Sequence, residues 1–136
     1  MRRLIPLILL AVIAWTPAPA GEPADSIEAV IADQIAAFQA EDLSAAFSFA
    51  SPGIQSKFGN PQNFGRMVRQ GYPMIWRPAD WRWGALEQTP RGWVQTVMFQ
   101  DAEGQLYEAD YLMEQQTDGT WRIDGVRLRQ MPGAAA

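Results

Sequence analysis

The sequence predicts an α+β fold, in which N-terminal helices pack on a curved antiparallel sheet shaped like a cone or half-barrel. Three observations support this prediction. Apolar residues recur at helical spacing from residue 27 to residue 72, and they alternate with polar residues from residue 93 to residue 128. Short clusters of turn-forming residues separate the alternating segments, which is typical of strands joined by hairpins. Helices followed by consecutive strands are a usual order of elements in α+β domains.

Residues 1–20 have the three parts of a secretory signal peptide. Two arginines after the first methionine form a positive head, Leu4–Trp15 is an apolar stretch, and Ala18–Ala20 is a small-residue cleavage site. The apolar stretch is shorter than the roughly 20 residues of a membrane-spanning helix, and an uncleaved anchor is the competing interpretation. We expect cleavage after Ala20, a periplasmic or secreted location, and no stable membrane insertion of the cleaved protein.

The rest of the chain has the length and composition of one domain. This domain is expected to cover residues 21–131, followed by a disordered tail at residues 132–136. The chain has a net charge of -4, and removal of the leader makes it more acidic, so no nucleic-acid partner is predicted. The sequence contains no histidine and no cysteine. That composition excludes a Ser-His-Asp triad, a thiol nucleophile, imidazole acid–base catalysis and disulfide bonds.

The first helix is predicted over residues 26–40. Asp25 and Glu28 have the spacing of a capping box, with Asp25 as the N-cap residue. The apolar residues of this segment form one stripe at helical spacing, and Gln34 is the only long polar residue on it. Gln34 is therefore expected either to face a cavity or to form a hydrogen bond inside the core.

Residues 43–73 are expected to form the centre of the core, as short helices separated by turn-forming residues. Asp42 can cap a second helix that ends near Ala50, before the sequence Ser51-Pro52-Gly53. The dipeptide Asn60-Pro61 then marks the start of a third helix, with asparagine as the cap and proline in the first turn. Three apolar residues of this region are expected to be largely buried: Phe47, Phe64 and Met67.

Strands are predicted for the second half of the chain. A segment around the tryptophans at 76, 81 and 83 is expected to cross to the sheet and to lead into a first strand. Alternation then predicts three strands joined by hairpin turns: Trp93–Gln100, Leu106–Gln115 and Trp121–Leu128.

The last predicted strand has an alternation that changes phase. Trp121 and Ile123 share one face, whereas Val126 and Leu128 fall on the opposite face of a regular strand. One extra residue at Asp124-Gly125 would bring all four apolar side chains onto the same face. A β-bulge is therefore predicted there.

Three stretches resemble a bacterial family named domain of unknown function 4864. They are QIAAFQAEDLSAAFSFASPGIQSKFG at 34–59, FGRMVRQGYP at 64–73 and DGTWRIDGVRL at 118–128. The order of helices and strands is also similar to the nuclear transport factor two-like superfamily. That resemblance implies a sheet bent around the first helix into a cone. It implies no particular activity, because this cone supports isomerases, dehydratases, transport factors and binding modules.

Five residues are candidates for a ligand site inside such a cone. Polar side chains on the first helix and on the concave sheet would converge there and orient a small apolar or amphipathic ligand through neutral hydrogen bonds. A satisfied polar cluster in a dry core is the alternative interpretation. Tryptophans interleaved with arginines can also grip a ligand, although bracing the mouth of the sheet is equally compatible with their chemistry. The candidate residues are Gln34, Gln95, Tyr111, Trp76 and Trp83.

Three carboxylates, Glu108, Asp110 and Glu114, share one face of a predicted strand. They lack the asparagine, glycine and loop spacing of a calcium site, so the pattern favours a solvent-exposed face. No metal and no cofactor are predicted.

The sequence favours a non-catalytic module that binds a ligand or a partner protein. The alternative is an isomerase-like or dehydratase-like enzyme that pairs a buried aspartate, Asp33 or Asp110, with the hydroxyl of Tyr111 as acid and base. Asp33 lies off the apolar stripe and Asp110 alternates away from Tyr111, so the pattern places neither aspartate in the cavity. A homodimer formed through the open sheet is a third hypothesis.

Overall fold

The computed structural model describes residues 23–132 as one α+β domain. The predicted signal peptide at residues 1–20 lies outside this range, as does the predicted tail except for its first residue. The described helices are α1 (Pro23–Gln39), α2 (Leu43–Ser48), α3 (Pro52–Phe58), α4 (Pro61–Gly71) and α5 (Pro73–Trp76). The strands are β1 (Asp80–Thr89), β2 (Gly92–Gln100), β3 (Leu106–Gln115) and β4 (Trp121–Gln130).

The sheet is an antiparallel meander with the order β1-β2-β3-β4, and the helices cover one of its faces. The predicted fold class is therefore confirmed. The predicted alternation is confirmed as well, because every second side chain of β2 and β3 is buried on the helix side. These inner residues are Gln95, Val97, Phe99, Ala109, Tyr111 and Met113.

The cap predictions give a mixed result. Asp42 accepts a hydrogen bond from the amide of Ala45 at 3.1 Å and begins α2. Asn60 accepts one from the amide of Asn63 at 2.8 Å and begins α4. The capping box at Asp25 is wrong, because α1 begins at Pro23 and Asp25 lies within its first turn. A carboxylate there still stabilises the positive end of the helix dipole.

Two short helices differ from the expectation, which placed a single turn at residues 54–58 and no helix at Pro73–Trp76. The sequence Ser51-Pro52-Gly53 ends α2 as expected, but it also opens α3, because the Ser51 hydroxyl oxygen accepts from the amide of Ile54 at 3.2 Å. Pro73 begins the single-turn helix α5, which turns the chain from α4 toward β1. Proline is compatible with both starts, since a first-turn residue has no amide partner inside its helix.

The burial prediction for residues 43–73 holds for Phe64, which is 6% exposed. Phe47 and Met67 are less completely buried than Phe64, and both pack against the core as partly buried residues. The physical reason for Met67 is that it lines an open cavity, described below.

The predicted bulge in β4 is present. Leu112 pairs with Gly125 and Met113 with Ile123, which leaves Asp124 as the extra residue. The segment at Phe49–Ser51 then covers this edge of the sheet. Ile123 donates its amide to Phe49 and accepts from the amide of Ser51, both at 2.8 Å. The bulged strand is thereby joined to the helical layer.

A second bulge lies in β1 and was not predicted. Trp83 pairs with Val97 and Leu86 pairs with Gln95, so two residues, Gly84 and Ala85, oppose one residue of β2. Gly84 lies so close to β2 that an added Cβ would come within 3.0 to 3.2 Å of Thr96 atoms. Glycine therefore permits the close approach of the two strands at this bulge.

Candidate functional site

A cavity of about 290 Å³ lies between the helices and the inner face of β3 and β4. Side chains of α1, α3, α4 and α5 form one wall, and side chains of the two strands form the other. Most of the lining is apolar, as in ligand cavities generally. The main apolar lining residues are Phe38, Ile54, Phe64, Val68, Ile75 and Ile123.

Two of the five candidate site residues, Gln34 and Tyr111, line this cavity. Gln34 is 4% exposed and donates through its Nε2 to the carbonyl of Ala46 at 3.1 Å. This hydrogen bond ties α1 to α2 and satisfies a buried amide donor. Gln34 therefore combines both expected roles, because it contacts a cavity and forms a hydrogen bond inside the core.

Tyr111, which lines the cavity, has an unusual hydroxyl. It is buried and has no hydrogen-bond partner within the described part of the chain. Burial also raises the pKa of Tyr111 far above its ordinary value of 10, so the phenol stays protonated and remains a donor. An unpaired buried hydroxyl is costly unless water or a ligand supplies its partner.

The exposed part of the cavity wall carries two opposite charges. Lys57 of α3 and Asp124 of the β4 bulge both line the cavity. Asp124 accepts a hydrogen bond from the Ser51 hydroxyl at 2.6 Å, which holds its carboxylate against the start of α3. The ammonium of Lys57 lies 5.6 Å from the ring centre of Phe58 and forms no salt bridge among residues 23–132.

Gln95 is fully buried, but it does not line the cavity. Its Nε2 donates to the carbonyls of Thr96 at 2.9 Å, Gly84 at 3.1 Å and Ala85 at 3.4 Å. Three carbonyl partners identify this atom as the nitrogen, since an amide oxygen could not donate to them. Gln95 therefore holds the β1 bulge, and its Oε1 is left without a partner in the described structure.

The two candidate tryptophans lie elsewhere. Trp76 packs against Phe38, with ring centres 5.6 Å apart, and the guanidinium of Arg77 lies 5.1 Å from its ring centre. Arg77 donates to the carbonyl of Phe38 at 2.7 Å, so this cluster closes the C-terminal end of α1. Trp83 is 36% exposed on β1 and packs edge-to-face on Trp81 at 5.0 Å.

The two aspartates of the enzyme hypothesis do not meet Tyr111. Asp33 is exposed on α1. Asp110 lies on the outer face of the sheet, where it accepts from the Thr96 hydroxyl at 3.0 Å and forms an ion pair with Arg129. Burial tends to raise the pKa of Asp110, but the hydrogen bonds from Arg129 and Thr96 outweigh it and keep the pKa below its ordinary value.

The other two carboxylates of the outer face do not line the cavity either. Glu108 pairs with the same guanidinium, that of Arg129, at 2.6 Å, and Glu114 is exposed. No group of three or more acidic residues within residues 23–132 has an arrangement that could hold a metal ion.

Sequence reasoning missed Lys57 and Asp124 as cavity residues. Lys57 is the only lysine of the chain, and it follows the apolar stretch at 43–54 without any periodicity that indicates its position. For Asp124 a signal existed, because the predicted bulge singles out its position. The bulge by itself gave no indication that this carboxylate would reach a helix.

The fold and the cavity define an α+β domain with a mostly apolar interior site and a buried hydroxyl donor. A family model described as a domain of unknown function (DUF4864) matches residues 21–136. The chain therefore belongs to this family.

No curated protein matches the sequence. No helix within residues 23–132 combines the length and the apolar composition needed to cross a membrane.

Proposed function

We propose that this domain binds a small amphipathic molecule in the cavity without converting it. The observation that carries the proposal is that Tyr111 lines this mostly apolar cavity and that its hydroxyl is a buried donor without a partner among residues 23–132. A ligand with a hydrogen-bond acceptor would remove the cost of that unpaired donor. The cavity volume of about 290 Å³ is near the lower end of ligand sites, so the ligand is small.

The position of Lys57 indicates that the proposed ligand carries an anionic group. Among residues 23–132, Lys57 is the only cationic residue that lines the cavity, and its side chain is exposed. Asp124 would disfavour an anion at the same end, but its carboxylate is directed to Ser51 by a hydrogen bond. The proposed ligand therefore has an apolar body, an acceptor for Tyr111 and a negative charge near Lys57.

The proposal also includes a superfamily and a cellular location for this protein. Membership of the nuclear transport factor two-like superfamily is supported by the helices that pack on one face of a curved antiparallel meander. Export to the periplasm or outside the cell is supported by the signal-peptide pattern of residues 1–20, with cleavage after Ala20. Intact-mass measurement of protein recovered from the periplasm or medium tests the cleavage, because a mass beginning at Met1 would contradict it.

The binding proposal is tested with anilinonaphthalene sulfonate, an apolar fluorophore with an anionic group. We expect its fluorescence to rise on binding and to fall when decanoate or decanol displaces it. Lys57→Met should weaken binding of the anionic probe and of decanoate. The affinity for decanol, obtained from displacement after correction for the affinity of the probe, should not change, because decanol carries no charge. Arg69→Met is the matched control, because Arg69 is exposed on α4 and does not line the cavity.

A second variant tests the hydroxyl. Tyr111→Phe should raise the free energy of unfolding of the ligand-free protein by about 1 kcal/mol, because it removes an unpaired buried donor. It should also weaken binding of decanol and decanoate. Unchanged probe fluorescence in Met67→Trp, which narrows the cavity, would contradict the proposed site. A Tyr111→Phe variant that is less stable would show that the hydroxyl is satisfied within the protein.

A further inference from the structure

The open edge of β1 differs from an ordinary protected sheet edge. Strand β1 pairs with β2 on one side, and no other segment among residues 23–132 forms backbone hydrogen bonds with its other side. This strand extends over ten residues, Asp80–Thr89. Natural proteins usually cover or shorten such edges or place charges and bulges on them, because an unpaired strand can associate with another strand. Strand β1 has charges and a bulge, but no described segment covers it.

The bulge determines which residues of β1 share a face. Trp83 lies opposite Val97 and Leu86 lies opposite Gln95, so both face the helix side of the sheet. In a regular strand, residues three positions apart would point to opposite faces. The extra residue at Gly84–Ala85 therefore places two apolar side chains on one face, on either side of the bulge.

Two charged residues of β1, Arg82 and Glu87, lie on either side of the bulge at Gly84–Ala85. Arg82 lies opposite Met98 and Glu87 lies opposite Val94, which places both on the outer face. The side chain of Arg82 is 81% exposed, and its Nε lies 3.5 Å from the Asp80 carboxylate. Glu87 is exposed and forms no salt bridge within the described range.

We propose that β1 pairs antiparallel with β1 of a second copy of this chain, around a two-fold axis between Gly84 and Ala85. In that register Trp83 lies beside the partner's Leu86 on the inner face. Arg82 lies beside the partner's Glu87 on the outer face. Each contact occurs twice, because an isologous interface repeats every contact through the two-fold axis.

The bulge is what makes this strand complementary to itself. Directly opposed residues of an antiparallel pair share a face. Without the bulge, the axis between positions 84 and 85 would oppose residues from different faces, so Arg82 could not meet the partner's Glu87. The Nε2 of Gln95 donates to the carbonyls of both bulge residues, Gly84 and Ala85. These hydrogen bonds stabilise the bulge that the proposed register requires. The dimer joins two four-stranded sheets into one and does not depend on the cavity.

Charge reversal tests this register. We expect sedimentation equilibrium of residues 21–136 to show a monomer–dimer equilibrium that shifts toward monomer at high salt. Arg82→Glu should weaken the dimer at least about tenfold, since two attractive pairs become repulsive. Glu87→Arg should do the same, and the double variant Arg82→Glu with Glu87→Arg should restore dimerisation. Arg69→Glu on α4 is the matched control and should leave the equilibrium unchanged.

Three results would overturn the proposal. The first is wild-type protein that remains monomeric up to millimolar concentration. The second is a dimer that Arg82→Glu leaves intact, which would assign association to another surface. The third is failure of the double variant to recover when circular dichroism shows that it is folded. Arg82 is exposed, so we expect all these variants to fold.

Discussion

The two outer strands of the sheet, β1 and β4, each contain a bulge, but they differ in their contacts with other described segments of the chain. At β4 the segment Phe49–Ser51 pairs with the strand edge, and the extra residue Asp124 reaches the start of α3. At β1 the bulge is held from within the sheet by Gln95, and no segment of the described range pairs with the outer edge. The edge of β4 is therefore covered by another segment, whereas β1 carries a bulge without such a cover among residues 23–132.

Arg122 extends the same contrast. Its guanidinium donates to the carbonyl of Ser48, at the end of α2, so β4 contacts the helical layer at several points. The described part of the chain has no corresponding contact on the open side of β1. We therefore expect changes at the β4 edge to affect folding and changes at the β1 edge to affect association.

The largest expected effect compares Ile123 with Leu86. Ile123 is 4% exposed and lies at the covered edge, so Ile123→Ala should lower the free energy of unfolding by about 2–5 kcal/mol. Leu86 is half-buried at the open edge, and Leu86→Ala should cost less than about 2 kcal/mol. Denaturant unfolding of dilute protein measures both. Equal losses would show that the two edges contribute equally to the fold.

A smaller effect isolates the link between α3 and the β4 bulge. Ser51→Ala removes the cap of α3 and the hydrogen bond to Asp124, and should cost about 2 kcal/mol. Asn60→Ala is the matched control, because Asn60 caps α4 through the amide of Asn63. It should cost about 1 kcal/mol. If both changes cost the same in denaturant unfolding, the hydrogen bond to the bulge contributes nothing to stability.

The smallest expected effect concerns pH and the outer face. The pKa of Asp110 is lowered in the folded protein, so its ionised form stabilises the fold above the pKa of the unfolded chain, near 3.9. This contribution is lost as the pH falls through the lower folded pKa. Because the group is partly exposed, Asp110→Asn should cost less than about 1 kcal/mol at pH 7. Thermal unfolding should show no difference between variant and wild type at strongly acidic pH.

Local pattern accounts for much of the fold. The alternation in β2 and β3 identified their inner faces, and the changed phase in β4 located its bulge, because side-chain direction in a strand depends only on neighbouring residues. The caps at Asp42 and Asn60 were predictable for the same reason, since a cap acts within three residues. The capping box at Asp25 failed because Asp25 already lies within α1 and therefore cannot be its N-cap residue.

The sites depended more strongly on tertiary structure. Gln34 and Tyr111 could be assigned to inner faces, and both line the cavity. Gln95 was assigned to the correct face as well, but its partners Gly84 and Ala85 lie on another strand, so its role at a bulge could not be inferred. The exposure of Trp83 could not be predicted either, because the described helices cover the inner face of β2 and β3 but not this part of β1.

The sequence by itself determined that helices precede strands, which faces of β2 and β3 point inward, and where β4 has its bulge. These features follow from periodicity and caps, which act over a few residues. Only the tertiary structure decided that Lys57 and Asp124 line the same cavity. It also decided that, within residues 23–132, the Tyr111 hydroxyl has no partner and no segment pairs with the outer edge of β1. Those features depend on distances between segments far apart in the chain, and residue periodicity carries no information about such distances.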